Sequence, residues 1–212
     1  MNATAALAGI LGALFVGVVS PGPSFVLVAR TAVARSRRDG LAAALGMGIG
    51  GLFFASLALL GLQAVLARVG WLDLGLKLLG GLYLVYLGLA LWRGASAPLA
   101  LPDSGEHGAA NPGRSFAVGL ATQLSNPKTA IVYAGVFAAL LPPAPPAWLY
   151  AALLPLILAI ETSWYSAVAL VLSSGGPRAA YGRCKRWIDR AAGSIMAVLG
   201  LRLIIAAGRS GS

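Results

Sequence analysis

Two apolar stretches of the chain are each interrupted by prolines and polar residues, and these interruptions hold the residue types best suited to chemistry. The first is Ser20-Pro21-Gly22-Pro23 and the second is Ser125-Asn126-Pro127-Lys128. A proline inside a helix removes a backbone donor and costs about 3 kcal/mol or more. In lipid, a broken helix is tolerated only where protein or a water-filled cavity satisfies the freed backbone groups. We therefore predict that both helices are discontinuous and that their ends form a polar site near the membrane midplane.

Two charged residues lie close to these breaks or deep within an apolar stretch. Lys128 directly follows the second break, and Glu161 lies among apolar residues. A charge at the bilayer centre costs on the order of 2.5–3.5 kcal/mol, and such residues usually face a cavity or pair up. We predict that Glu161 accepts a proton or a cationic group, and that Lys128 neutralises it or contacts an anionic group such as a carboxylate. Two alternatives stay open: Lys128 extends to the nearer membrane surface, and Glu161 is a structural partner of a polar neighbour.

The predicted substrate-binding residues combine both breaks with nearby polar and aromatic side chains. Trp164 is included because it lies deeper in its apolar stretch than the other tryptophans, which fall mostly near predicted membrane surfaces. The set is Ser20, Pro21, Gly22, Pro23, Gln123, Ser125, Asn126, Pro127, Lys128 and Trp164, with Glu161 as the predicted proton-coupling residue.

The composition decides which elements carry these residues. Apolar residues make up 58% of the 212 and charged residues 10%, with a mean hydropathy of +0.83. Ordinary soluble domains have roughly 45–50% and 25%, so a soluble single-core protein is excluded. Because a helix needs about 20 residues to cross the bilayer, six spans are near the ceiling. The predicted fold is an all-α integral membrane protein with six transmembrane helices, over residues 4–29, 41–66, 72–92, 115–141, 147–172 and 191–207.

Positive charge is distributed unevenly between the predicted loops. Lys and Arg number 16 against 6 Asp and Glu, a formal net charge of +10. Eleven of the 16 basic residues follow the first, third and fifth spans. By the positive-inside rule that face is cytoplasmic and both termini lie on the opposite, periplasmic or extracellular side. The charge therefore predicts orientation and not a nucleic-acid partner, with binding of anionic lipid or nucleic acid left as the alternative.

A polar connection divides the chain into two halves. Residues 94–114 are rich in Ala, Pro, Gly and Ser and are predicted to be a cytoplasmic linker between 1–93 and 115–212. Each half has three predicted spans. Because three is odd, two related halves would lie inverted with respect to each other, as in transporters built from inverted repeats. Both proline breaks fall in the first span of their half, which favours the same arrangement.

Glycines recur in the second and third predicted spans. The Gly46-xxx-Gly50 spacing lets two helices approach closely, and Gly75, Gly80 and Gly81 are candidates for the same role. We predict close helix packing at these glycines, with a moving hinge as the alternative.

Other chemistry finds little support in the residue types. His107 and Cys184 are the only residues of their kinds and lack metal-ligand spacing, so neither a metal site nor a cofactor is predicted. Efflux of a metal ion or another small solute stays an alternative, although Glu161 is the one carboxylate well inside a predicted span. The chain is not predicted to be an enzyme because no predicted span contains a histidine. An intramembrane enzyme using Ser125 and Lys128 is the alternative from a different class.

An ordered set of motifs resembles the LysE/RhtB family of bacterial amino-acid exporters. The motifs are Ser20-Pro21-Gly22-Pro23, the stretch from Arg35 to Gly51, Lys77 to Gly88, Phe116 and Gly119 leading to Asn126-Pro127-Lys128, Ile188 to Gly193, and Gly200 to Leu203. The resemblance implies a six-helix translocator of the bacterial inner membrane that exports amino acids or related small metabolites, energised by the proton gradient. It implies that the two breaks form the transport core, with an amino acid, protons and the lipid bilayer as partners. A homo-oligomer stays open, and the role of Glu161 depends on the intramembrane charge alone.

Overall fold

Helices form all the regular structure in the part of the chain that the structure describes. The computed structural model describes residues 2–66, 70–97, 109–171 and 175–210. The prediction of an all-α protein is confirmed for these ranges. Their helices are α1 (Ala3–Val19), α2 (Pro23–Ala34), α3 (Arg37–Leu66), α4 (Gly70–Gly94), α5 (Pro112–Leu124), α6 (Pro127–Leu140), α7 (Ala147–Val171) and α8 (Gly175–Ser210).

Several helices are suited to a membrane. Among the described residues, three helical stretches are long and apolar enough to cross it: Arg37–Leu60 of α3, the whole of α7, and Gly182–Gly208 of α8. The pair α1 and α2 qualifies as a fourth span, bent by 55° at its break. α6 is apolar but shorter than a span. These elements support a multi-pass membrane protein, and the count of six spans and their inverted repeat stay predictions.

The first break lies at the Pro-Gly-Pro motif. α1 ends at Val19 because Ser20 adopts an extended backbone, and Gly22 is extended as well. Pro23 then occupies the start of α2, where its missing N–H and fixed φ cost nothing. The chain therefore leaves one helix and begins another within three residues.

The second break uses a side-chain cap. α5 ends at Leu124, and Pro127 occupies the start of α6. The Asn126 side chain accepts a hydrogen bond from the backbone N–H of Lys128 at 3.0 Å. Such a cap satisfies one of the four amides that every helix start leaves unpaired. Lys128 is thereby fixed in the first turn of α6.

Two apolar clusters hold the helices around the breaks. One joins α1, α6 and α8 through the buried side chains of Ile10, Phe137 and Met196. The other joins α2 and α3 through Phe25 and Met47. α1 packs mainly in the first cluster and α2 in the second, and both clusters also include residues of α3 and α7.

Glycines bring α3 and α5 into close contact. A Cβ at Gly46 would overlap the backbone carbonyl of Phe116, and a Cβ at Gly50 would lie 2.7 Å from the Cβ of Gln123. The predicted close packing at Gly46-xxx-Gly50 is confirmed. α5, which ends at the second break, is therefore seated directly on α3.

A second glycine contact joins α4 to α8. A Cβ at Gly81 would lie 2.8 Å from the carbonyl oxygen of Gly200, and one at Gly88 would lie 2.5 Å from that of Gly193. Gly80, in contrast, has no such neighbour within 4 Å. The packing prediction is confirmed at Gly81 and wrong at Gly80. The prediction is also wrong at Gly75, where a Cβ would have no neighbour within 4 Å.

Gly81→Ala is expected to lower the thermal unfolding midpoint in detergent relative to Gly80→Ala. Both changes gain the same intrinsic helix propensity, but only the first forces α4 and α8 apart, at a cost of about 1–3 kcal/mol. Differential scanning fluorimetry of the purified variants measures the difference. Equal midpoints would mean that the glycine contact does not contribute to stability.

Candidate functional site

A buried carboxylate on α7 forms the centre of the site. Glu161 has 1% of its surface exposed. The Tyr133 hydroxyl donates to its Oε1 at 2.8 Å, and the Gln123 side-chain amide donates to its Oε2 at 3.0 Å. A Cβ at Gly51 would lie 2.9 Å from the Glu161 Cδ, so α3 makes room for the carboxyl by lacking a side chain there. Each carboxylate oxygen thus has a fixed donor, which offsets part of the cost of burial.

A chain of hydrogen bonds connects this acid to the second break. The Asn126 amide donates to the Ser24 hydroxyl at 3.0 Å, and the Ser24 hydroxyl donates to the Gln123 oxygen at 2.6 Å. The Gln123 nitrogen is then directed at Glu161. All four side chains are buried. The network therefore ties α2, α5 and α7 together at the point where the broken helices meet.

Lys128 lies against the first break. Its Nζ donates to the backbone carbonyl of Ser20 at 3.1 Å, and a Cβ at Gly22 would lie 3.6 Å from the same nitrogen. The Ser20 carbonyl belongs to the C-terminal end of α1, where unpaired carbonyls carry partial negative charge. The Lys128 amine, in the second half of the chain, thus donates a hydrogen bond to the backbone of the first half.

Ser20 also contacts a charged pair on α8. Its hydroxyl donates to Asp189 Oδ1 at 3.1 Å, and Lys185 Nζ donates to Asp189 Oδ2 at 2.7 Å. Lys185 additionally donates to the carbonyl of Gly94 at 3.2 Å. The first break is therefore connected both to Lys128 and to the Lys185–Asp189 ion pair.

These groups surround a small cavity of about 30 Å³. The volume holds one or two water molecules and is far smaller than an amino acid. The apolar part of its lining includes Leu14, Val18 and Phe25, which face the polar part. The polar part of the lining consists of Ser20, Ser24, Gln123, Asn126, Lys128, Thr129, Tyr133, Glu161 and Tyr165. One acid, Glu161, and one amine, Lys128, therefore share a small cavity.

Comparison with known proteins places this geometry in a family. A family model described as LysE type translocator matches residues 15–207. The threonine efflux protein of Salmonella typhi is 37% identical over 191 residues, covering 90% of this chain and 93% of the relative. The threonine efflux protein of Escherichia coli strain K12 is 35% identical over 196 residues, with the same coverage of both chains. The chain belongs to the LysE-type translocator family. It is therefore a transporter and not an enzyme. No solved structure matches the chain.

The LysE-type translocator brings six of the predicted site residues to one cavity, and the others lie around it. Ser125, Pro23 and Pro127 line a separate pocket of about 360 Å³, where Ser125 is exposed. Trp164 packs edge-on against Phe15, with 6.5 Å between ring centroids, and does not line the cavity. Pro21 is half-buried at the break, outside the cavity lining. The six lining residues are Ser20, Gly22, Gln123, Asn126, Lys128 and Glu161.

Four polar residues of the cavity were not predicted from the sequence: Ser24, Thr129, Tyr133 and Tyr165, which lies four residues after Glu161 on α7. Ser24 follows the Pro-Gly-Pro motif directly, and Thr129 and Tyr133 are spaced four residues apart on α6. Thr129 directly follows Lys128, and Tyr133 shares a helix face with Thr129 because residues four apart lie on the same side of a helix. This spacing was therefore a signal in the sequence for both residues. Ser24 was detectable as the first polar side chain of α2.

Among the described residues, no group of three or more His, Cys, Asp or Glu side chains could hold a metal ion. His107 lies outside the described residues, as does most of the linker predicted at 94–114.

Proposed function

We propose that this translocator exports a small zwitterionic amino acid, with threonine as the first candidate. The observation that carries the proposal is that one amine, Lys128, and one carboxylate, Glu161, line a single small cavity between the two breaks. A zwitterion carries the complementary pair, a carboxylate for Lys128 and an ammonium for Glu161. The names of the threonine efflux relatives support the same substrate class.

The cavity chemistry also suits a hydroxylated side chain. Ser24, Gln123 and Thr129 supply hydroxyl and amide groups that donate or accept hydrogen bonds. Leu14 and Val18 supply an apolar surface on which a methyl group packs. Threonine carries both a hydroxyl and a methyl group, so its side chain matches both parts of the lining.

The proposed topology is six spans in a bacterial inner membrane. Residues 1–93 and 115–212 form two inverted three-helix repeats, and 94–114 form the linker between them. The meeting of the two breaks supports this arrangement, because Lys128 after one break contacts Ser20 of the other. Orientation follows from the positive-inside rule, with the basic face in the cytoplasm and both termini outside.

Glu161 is the proposed proton-coupling residue. A carboxylate that binds the substrate ammonium can bind a proton in its place, so one site serves the two cargoes alternately. Two opposing effects on Glu161 support this role: burial disfavours the charged form, whereas the Tyr133 and Gln123 donors favour it. Export then proceeds with inward movement of protons.

The proposed function is tested by feeding cells a panel of dipeptides. Cells that express the chain are expected to accumulate less intracellular threonine from a threonine-containing dipeptide than cells with an empty vector. The other dipeptides of the panel define the range of amino acids exported. Equal accumulation of every amino acid in the two strains would overturn the proposal.

A further inference from the structure

A second pocket lies between α2 and α5, at the ends of these helices that are distant from the breaks. It has a volume of about 370 Å³, which suits a small organic molecule. Three of its lining residues are arginines, Arg30, Arg35 and Arg114, and Thr31 and Ser115 add two hydroxyl groups. Guanidinium groups bind carboxylates and phosphates with paired hydrogen bonds, and hydroxyl groups supplement them. The lining therefore has the chemistry of an anion site.

The positive charge of this pocket is only partly balanced. Asp39 is the neighbouring carboxylate, and its field attracts Arg35. Asp39 is fully buried, and it accepts hydrogen bonds from the backbone N–H of Asn111 at 2.9 Å and the Ser115 hydroxyl at 2.8 Å. Within the described ranges, the ion pair present is Lys185–Asp189 on α8. Asp39 does not itself line the pocket, and Arg35 is the pocket arginine that interacts with it, so the three arginines leave the lining positive.

The two helices that form this pocket, α2 and α5, also extend to the small cavity lined by Glu161 and Lys128. α2 runs from Ser24 at the cavity to Thr31 at the pocket, a rise of about 10 Å at 1.5 Å per residue. α5 runs the other way, from Ser115 at the pocket to Gln123 at the cavity, a rise of about 12 Å. At the cavity end of the α2–α5 interface, the Ser24 hydroxyl donates a hydrogen bond to Gln123 and joins the two helices.

We propose that the arginine pocket, lined by Arg30, Arg35 and Arg114, captures the carboxylate of the exported amino acid before it passes between α2 and α5. The inference rests on the proposed function, because it takes the cargo to be an amino acid. The Ser24–Gln123 hydrogen bond is then the barrier that opens to admit the captured substrate. Both α2 and α5 contact α3 at glycines, at Gly40 and Gly46, so the passage opens by separation of α2 from α5 and not by loss of either contact with α3.

The first test is a kinetic measurement of threonine uptake into inside-out membrane vesicles. The variant is Arg30→Gln/Arg35→Gln/Arg114→Gln. The matched control is Arg37→Gln/Arg38→Gln/Arg186→Gln, which removes three exposed arginines outside the pocket. The pocket variant is expected to raise the KM for threonine about tenfold with kcat unchanged, since it removes binding that precedes the transport step and does not alter that step. An unchanged KM, or an equal rise in the control, would overturn the proposal.

The second test needs no transport, so it separates failure of this inference from failure of the proposed function. Phenylglyoxal modifies accessible arginines, and mass spectrometry of the purified protein measures its addition at each position. Threonine is expected to protect Arg30, Arg35 and Arg114 but not Arg38, and threoninamide, which lacks the carboxylate, is expected to protect none. Absence of protection by threonine would overturn the inference. So would protection that depends on adding phosphatidylglycerol, because the occupant would then be a lipid phosphate.

Discussion

Glu161→Gln is expected to lower the rate of threonine efflux by about 30-fold or more while leaving the fold intact. Removing the charge from a buried hydrogen-bonded group that binds an opposite charge costs on the order of 2–5 kcal/mol. The glutamine has nearly the same shape, and its oxygen still accepts from Gln123 while its amide donates to Tyr133. The expected loss therefore concerns the substrate ammonium and the proton, and not the packing of α7. Radiolabelled threonine efflux from loaded cells measures the rate.

The pH response distinguishes this role from a structural one. Efflux by the unaltered protein is expected to rise as the external medium becomes more acidic, because protons then replace the substrate on Glu161 more readily. The glutamine variant cannot carry the proton, so its residual efflux is expected to be flat across the same pH range. The thermal midpoint of the variant in detergent is the control for folding. If the variant transports at the unaltered rate across pH, Glu161 is not the coupling residue.

Lys128→Met is expected to reduce threonine efflux by a similar factor, but with a different dependence on substrate. Methionine preserves much of the length of the side chain and removes the charge, so the α-carboxylate loses its cation and the Ser20 carbonyl loses its donor. Threoninamide has no carboxylate and is expected to lose far less of its transport. The ratio of the two efflux rates is therefore the measurement that reports on the carboxylate alone.

A matched control removes a lysine elsewhere in the chain. Lys77→Met changes a residue of α4 that does not line the cavity, and its ratio of threonine to threoninamide transport is expected to equal that of the unaltered protein. An equal loss of both substrates in Lys128→Met would contradict carboxylate binding. It would instead support a role of Lys128 in holding the two breaks together.

The parts of this site that could be predicted are the helix breaks and charged side chains, because placing either in a bilayer costs free energy. Both breaks were located from proline, and Lys128 and Glu161 were selected because a charge within an apolar segment needs a partner or a cavity. The structure places both charges on one cavity. Their roles in binding and coupling stay predictions.

The partners of these charges were not detectable in the same way. Tyr133 lies in an apolar helix, where a tyrosine ring is usual, and only the packing of α6 against α7 brings its hydroxyl to Glu161. Trp164 shares α7 with Glu161, yet its ring packs against Phe15 of α1. Side-chain direction depends on which helices become neighbours, and one sequence does not contain that information.

The extent of α8 shows a further limit. The apolar pattern predicts a span over residues 191–207, whereas the helix runs over Gly175–Ser210. Hydropathy indicates which side chains lipid tolerates, but it does not mark where a helix ends. Arg, Lys and Ala are all good helix formers, so a helix can continue beyond its apolar segment. The helix therefore continues through the basic segment, and this extension places Lys185 and Asp189 beside Ser20.

Ser20 uses its two oxygen atoms on different parts of the molecule, which makes it a mechanical link. Its carbonyl binds Lys128, and its hydroxyl binds Asp189 on α8. If the proposed binding of a cargo carboxylate draws Lys128 away, its hydrogen bond to the Ser20 carbonyl is lost, and we expect α8 to respond through the contact of Asp189 with Ser20. Cys184 is the single cysteine of the chain, is exposed and immediately precedes Lys185 on that helix. A fluorophore attached to this native thiol would follow the transport cycle without any engineered labelling site.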